Sequence, residues 1–76
     1  MNTYILYTTS HCHLCDQAYN LIHNSVPTIN LICIEIANND ELMEEYAIRI
    51  PVFKKDDASL ELDWPFNKDE IIEMCK

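Results

Sequence analysis

Apolar positions recur along this chain with two different periods, and the switches between them divide it into seven segments. Residues 3–8 (Thr-Tyr-Ile-Leu-Tyr-Thr) are rich in β-formers and predict a first strand. Thr9, Ser10 and His11 read as a loop, with Ser10 placed to cap the helix after it. From about Cys12 to His23, Leu14, Ala18, Leu21 and Ile22 recur at i, i+4, i+7 and i+8, which is one helical face. Asn24-Ser25-Val26-Pro27 ends that helix. Residues 29–36 (Ile-Asn-Leu-Ile-Cys-Ile-Glu-Ile) are almost continuously apolar, the signature of a strand buried on both faces.

A second helix opens at Asn38-Asn39-Asp40-Glu41, where Asn38 and Glu41 have capping-box spacing and acids fill the first turn. Leu42, Met43, Tyr46 and Ala47 supply its apolar face. Ile50-Pro51-Val52-Phe53 starts a short third strand, and Leu60-Glu61-Leu62 alternates as a fourth. Between them, Lys55-Asp56-Asp57-Ala58 forms the turn of an antiparallel hairpin. The chain has no glycine, so this turn must rely on Asp56 and Asp57, which tolerate turn geometry at some cost. Asp63-Trp64-Pro65-Phe66 is a loop, and Asn67 with Glu70 caps a last helix that turns Ile71, Ile72 and Cys75 inward.

The order is β-α-β-α-β-β-α, an α/β fold in one domain over residues 1–76. The first βαβ unit crosses over right-handedly, which sets strands one and two side by side and parallel. The hairpin extends them to a four-stranded mixed sheet with three helices over its faces. At 76 residues, such a chain buries only about 60% of its unfolded surface, so chemistry belongs at the surface and must use few residues.

Thirteen acidic residues against five basic ones give a net charge of -8. Phosphate neutralisation needs a basic patch, and the nearest approach to one, Lys54-Lys55, is followed at once by Asp56-Asp57. Nucleic acid and anionic membranes are therefore excluded as expected partners. The acidity serves solubility, or selects basic or neutral protein partners. No stretch approaches the roughly 20 apolar residues of a membrane span, and the N-terminus lacks the basic-then-apolar order of a signal peptide. Four cysteines in a small secreted chain would imply a disulfide framework. Here Cys33 and Cys75 sit in apolar runs and read as buried thiols, leaving Cys12 and Cys15 as the one working pair. That distribution fits a reducing, cytoplasmic setting.

Cys12-His13-Leu14-Cys15 lies where a strand gives way to a helix. Unpaired N–H groups and the helix dipole favour negative charge there, which makes Cys12 the attacking thiolate. Cys15, one turn further in, is shielded and suited to resolving a mixed disulfide. His11 and His13 flank the nucleophile; protonated, they stabilise its thiolate, and otherwise they are exposed loop residues. His11, Cys12, His13 and Cys15 also offer zinc-type ligands, but structural zinc joins two pairs from distant parts of a chain, so no metal is expected. A cluster shared by two chains is a competing use of the same thiols. Ile50-Pro51 places a proline at the first residue of a strand, where its missing donor is tolerated. A cis proline facing a dithiol would leave neighbouring backbone groups free to pair with an extended substrate. Only about 5% of X-Pro bonds are cis. Arg49 brings a positive charge to the same edge, or is a solvated charge at a helix end.

Taken together, Thr9 to Asp16 after strand one and Ile50-Pro51-Val52-Phe53 before a hairpin resemble the glutaredoxin-like proteins, the thioredoxin fold in its minimal form. The resemblance spans essentially the whole chain. Trp64-Pro65-Phe66 before the last helix resembles a short bacterial-type branch whose function is poorly defined. It implies that Cys12 attacks, Cys15 resolves, and Pro51 is cis beside them. It implies a monomeric thiol–disulfide oxidoreductase acting on protein or small-molecule disulfides, with a thiol reductant, glutathione among the candidates, and no bound cofactor. The alternative is a non-enzymatic interaction module, or a metal or iron–sulfur carrier, built on the same loop. Two departures bear on glutathione. The glycine pair found after strand four in glutaredoxins is replaced by Asp63-Trp64-Pro65-Phe66, an acid and two rings that repel or obstruct an anionic tripeptide. The lysine often found shortly before the first cysteine is also missing. Trp64 is then a docking residue for a protein partner or packing beneath the last helix.

Overall fold

The structure is a computed structural model that describes residues 3–56 and 59–76. Its elements are β1 (Thr3–Thr8), α1 (His13–Ser25), β2 (Asn30–Glu35), α2 (Asp40–Tyr46), β3 (Val52–Lys55), β4 (Glu61–Asp63) and α3 (Lys68–Met74). This is the expected order. The four strands form a mixed sheet in the order β2-β1-β3-β4, with β1 parallel to β2 and antiparallel to β3. The arrangement is that of a minimal thioredoxin fold.

β1 organises the core because its alternate side chains enter opposite faces. Tyr4 and Leu6 join Ala18 and Ile22 of α1, Ile71 and Met74 of α3, and Phe53 and Phe66 in one cluster. Ile5 and Tyr7 join Ile36, Val52 and Tyr46 of α2 in a second. Helices thus cover both faces, two on one side and one on the other.

The doubly buried strand is β1, not β2 as the apolar run at 29–36 predicts. β2 is a sheet edge, with Ile32 45% exposed and Cys33 exposed. The reason is the length of α2, only seven residues, whose cluster takes in Ile34 and Ile36 but not Ile32. Cys33, on the other face beside Leu6, is exposed rather than the buried thiol expected, and Cys75 is half-buried.

Helix boundaries move for identifiable reasons. α1 starts at His13, runs to Ser25, and buries Cys15, Ala18 and Ile22. Leu14, expected inside, is 46% exposed, because Cys15 packs as a small hydrophobe and takes the inward position. Asn39 rather than Asn38 caps α2, its Oδ1 accepting from the Leu42 N–H at 3.0 Å. On α2 only Tyr46 is buried, while Met43 and Ala47 are exposed. In the hairpin, β3 begins at Val52 and β4 at Glu61, with Phe53 opposite Leu62. Lys55 is the last residue of β3, and the expected turn positions Asp57 and Ala58 lie outside the described residues. The predicted box at Asn67 and Glu70 forms, with bonds of 2.8 and 3.0 Å. α3 buries Ile71 and Met74, with Ile72 and Cys75 half-buried.

Phe53 is fully buried between the rings of Tyr4 and Phe66, at 5.6 and 6.1 Å. Phe53→Ala should cost about 3–5 kcal/mol, most of what a domain this small holds. Asn67→Ala should cost about 1 kcal/mol through the lost cap. Urea unfolding checks both, and equal losses from the two would contradict a core centred on Phe53.

Candidate functional site

The register brings four segments to one end of the sheet. Thr8 at the end of β1 lies beside Glu35 at the end of β2, and Tyr7 lies opposite Val52 at the start of β3. Val52 lies opposite Asp63 at the end of β4. The loop to Cys12, the Ile50-Pro51 bond and the Asp63-Trp64 segment therefore share that edge.

Cys12 is the N-cap of α1, in place of the expected Ser10. Its Sγ accepts the Cys15 backbone N–H at 3.1 Å, so the nucleophile candidate itself fills the capping position. The two sulfurs are joined as a disulfide, with Cα atoms 5.2 Å apart. Cys12 is half-buried, whereas Cys15 is only 3% exposed. Ser10 instead holds the loop to β2: its N–H and hydroxyl both donate to Glu35 Oε1, at 2.9 and 2.8 Å. These bonds, led by the Ser10 hydroxyl and aided by the Ala37 N–H, hold the Glu35 carboxyl below its usual range. His11 sits in the left-handed region at φ 60, turning the chain immediately before the cap. A positive φ at a non-glycine residue gave no sequence signal. His11 and His13 are both exposed.

The Ile50-Pro51 bond is cis, as the family resemblance implies, and so is Trp64-Pro65, which sequence reasoning missed. The Pro51 carbonyl accepts the Trp64 N–H at 3.1 Å, tying the two segments together. Trp64 is half-buried, packs against the first core cluster, and meets Phe66 edge-on at 5.1 Å.

Arg49 is not a free charge at this edge. Its guanidinium binds Asp63 in a two-point fork, at 3.1 and 2.8 Å, and Glu61 Oε1 at 2.7 Å. It also lies 5.0 Å over the Tyr46 ring. The Tyr46 hydroxyl donates to Glu61 Oε2 at 2.6 Å, and its ring stacks on Tyr7 at 4.2 Å. Burial, then the bond to Glu61, raises the Tyr46 phenol. The bonds to Asp63 and Glu61 raise the Arg49 guanidinium. Burial works against the Glu61 carboxylate, but bonds from Tyr46 and Arg49 outweigh it and hold Glu61 below its usual range. Glu61 and Asp63, two apart on a strand, share a face toward α2, and that alternation was the available clue to the network.

Among the described residues, no group of three or more His, Cys, Asp or Glu side chains is arranged to hold a metal ion. None of their helices is long and apolar enough to cross a membrane. A four-stranded mixed sheet with a cysteine pair closed across the first turn of α1 defines a thioredoxin fold of the redox type. The chain belongs to the glutaredoxin-like family, matching the Glutaredoxin-like domain (DUF836) over residues 3–76. It is similar to the X-ray structure of Northeast Structural Genomics target protein XcR50 from X. campestris, with 29% identity and a TM-score of 0.82. That match covers 95% of this chain and 93% of the other. The solution structure of XcR50 matches with 29% identity and a TM-score of 0.81, covering 99% and 92% of the two chains. No match to this chain was found among curated proteins.

The folded Glu61 carboxyl titrates below its value in the unfolded chain, about 4.3 for an ordinary glutamate. Its contribution to stability is therefore complete above that pH and is lost as pH falls through the folded value. Urea midpoints measured from pH 7 to 3 should fall less steeply below pH ~4.3 in Glu61→Gln than in the parent. Parallel curves would remove Glu61 from the acid limb.

Proposed function

We infer that the protein is a dithiol–disulfide oxidoreductase in which Cys12 is the nucleophile and Cys15 the resolving thiol. The observation that carries this reading is the asymmetry of the pair. Cys12 is reachable and its Sγ faces the Cys15 N–H at 3.1 Å, while Cys15 is buried. In the reduced protein that N–H and the dipole of the thirteen-residue α1 stabilise a Cys12 thiolate.

The Cys12 thiolate attacks one sulfur of a substrate disulfide. A Cys12–substrate disulfide forms and the other substrate sulfur leaves as a thiolate. Cys15, deprotonated, then attacks Cys12 Sγ. The Cys12–Cys15 bond closes and the second substrate thiolate is released. Two electrons pass to the substrate, and a thiol reductant restores the dithiol by the same exchange in reverse. The backbone of half-buried Ile50, next to the buried Pro51, offers the surface against which an extended substrate lies, with half-buried Trp64 beside it. The protein works as a monomer in the cytoplasm, without a bound cofactor and without nucleic-acid or membrane partners.

Two experiments test the cycle. With Cys15→Ser, a mixed disulfide on Cys12 should accumulate and be visible as added mass. With Cys12→Ser, disulfide reduction should fall at least ~100-fold, the order expected when an activated nucleophile is removed. Full activity in Cys12→Ser overturns the assignment. Recycling by glutathione compared with a thioredoxin-reductase system separates the candidate donors. The Asp63-Trp64-Pro65-Phe66 segment, in place of a glycine pair, favours slow recycling by glutathione.

A further inference from the structure

We propose that the redox edge selects disulfides flanked by cationic groups and disfavours anionic ones, and that Asp63 sets this preference by neutralising Arg49. The inference rests on the dithiol chemistry proposed above and adds the charge class of the substrate. It begins from the fate of Arg49, the basic residue nearest Pro51 in sequence. An unpaired guanidinium there would attract the carboxylates of an anionic thiol or disulfide. Instead Nε and Nη2 of the guanidinium are taken up by the Asp63 fork and by Glu61. With two carboxylates on this guanidinium, and Lys54 opposite Glu61 on β3, no unpaired positive charge is left at the cluster.

The rest of the edge does not restore the balance. Glu35 is anchored to Ser10, two residues before Cys12, and holds its charge to lower pH than an ordinary glutamate. Asp16 is exposed in the first turn of α1. Lys68, at the start of α3, is followed directly by Asp69 and Glu70. Of the lysines of β3, Lys54 stands opposite Glu61 and is taken up by that carboxylate, and Lys55 pairs with Tyr4 toward the opposite end of β1.

Range decides whether this field matters at the dithiol. Asp63 lies two strands from β1, about 10 Å at the usual strand spacing. That is comparable to the screening length of about 10 Å at 0.1 M salt. At such a distance in water of low salt, one unit charge changes the local population of a singly charged group about twofold, and salt reduces this. Leu14, exposed one residue before Cys15, adds an apolar contact that a peptide substrate can use. A disulfide in a segment carrying lysine or arginine fits this surface, and a small polyanionic disulfide does not.

Three symmetrical disulfides with the same two-methylene arm test the proposal: cystamine (cationic), bis(2-hydroxyethyl) disulfide (neutral) and 3,3′-dithiodipropionate (anionic). Single-turnover oxidation of the reduced protein is followed by mass spectrometry at pH 8 and low salt. Each rate is divided by that of free dithiothreitol with the same disulfide, which removes intrinsic reactivity. The normalised cation-to-anion ratio should be on the order of tenfold and approach one near 1 M salt. Asp63→Asn should lower the ratio about fourfold, since the two disulfides differ by two unit charges at the reacting end. A purely structural effect of the substitution would move all three rates together. A ratio of one or less in the parent protein at low salt overturns the preference, and an unchanged ratio in Asp63→Asn overturns the role of Asp63. If that variant does not fold, the salt dependence of the parent protein still decides the preference. Failure of all three disulfides to oxidise Cys12 would instead overturn the oxidoreductase reading itself.

Discussion

Pairing of β1 with both β2 and β3 is the constraint on which the other features depend. A strand hydrogen-bonded on two sides and buried on two faces has no freedom of register, because a slip of one residue would exchange Tyr4 and Leu6 with Ile5 and Tyr7. That fixed register aligns Thr8, Glu35, Val52 and, through β3, Asp63. The loop leaving β1 is then delivered to a defined place, where Ser10 is held by Glu35 and Cys12 begins α1. The packing of the core and the placing of the cysteine pair are two results of one alignment.

The polar network on the α2 face illustrates how little of such a small surface serves a single purpose. Arg49, Glu61, Asp63 and Tyr46 close the sheet beside β4, a strand of three residues that, among the described residues, pairs only with β3. A two-point guanidinium–carboxylate fork with a shared second acid is more than an isolated surface pair, which alone is worth about 0–1 kcal/mol. In the proposed selection, the same bonds set the charge beside the Ile50-Pro51 segment. A substitution that altered substrate charge preference would also loosen the attachment of β4 to α2.

Much of the fold is legible in the sequence because it rests on local periodicity. The seven elements and their order arise from the switch between two apolar periods, and the box at Asn67 and Glu70 from spacing alone. The roles of strands are not legible, since a continuous apolar run such as Ile-Cys-Ile at 32–34 says nothing about which strand a seven-residue helix can reach. The spacing of Cys15 signals its chemistry and not its packing, which misplaces Leu14. At the site, the cysteine pair carries its own signal, whereas the cis bond at Pro51 is expected only from the family resemblance. The capture of Arg49 by residues 12 and 14 positions later depends on the hairpin register, and a left-handed His11 on a turn that no residue type announces.

The choice of Cys12 as helix cap has an energetic logic. Sulfur is a weak acceptor, and serine, threonine, aspartate and asparagine are the favoured caps. With Ser10 two residues upstream and engaged with Glu35, α1 accepts a poorer neutral cap. In the proposed cycle the sulfur becomes a thiolate, and a charged acceptor strengthens the bond from the Cys15 N–H. The energy by which the thiolate improves the cap is the energy by which the cap favours the thiolate, because linkage makes the two equal. In that cycle helix stability and nucleophile activation at Cys12 are one interaction, and a stronger neutral cap at this position would remove the chemistry along with the sulfur.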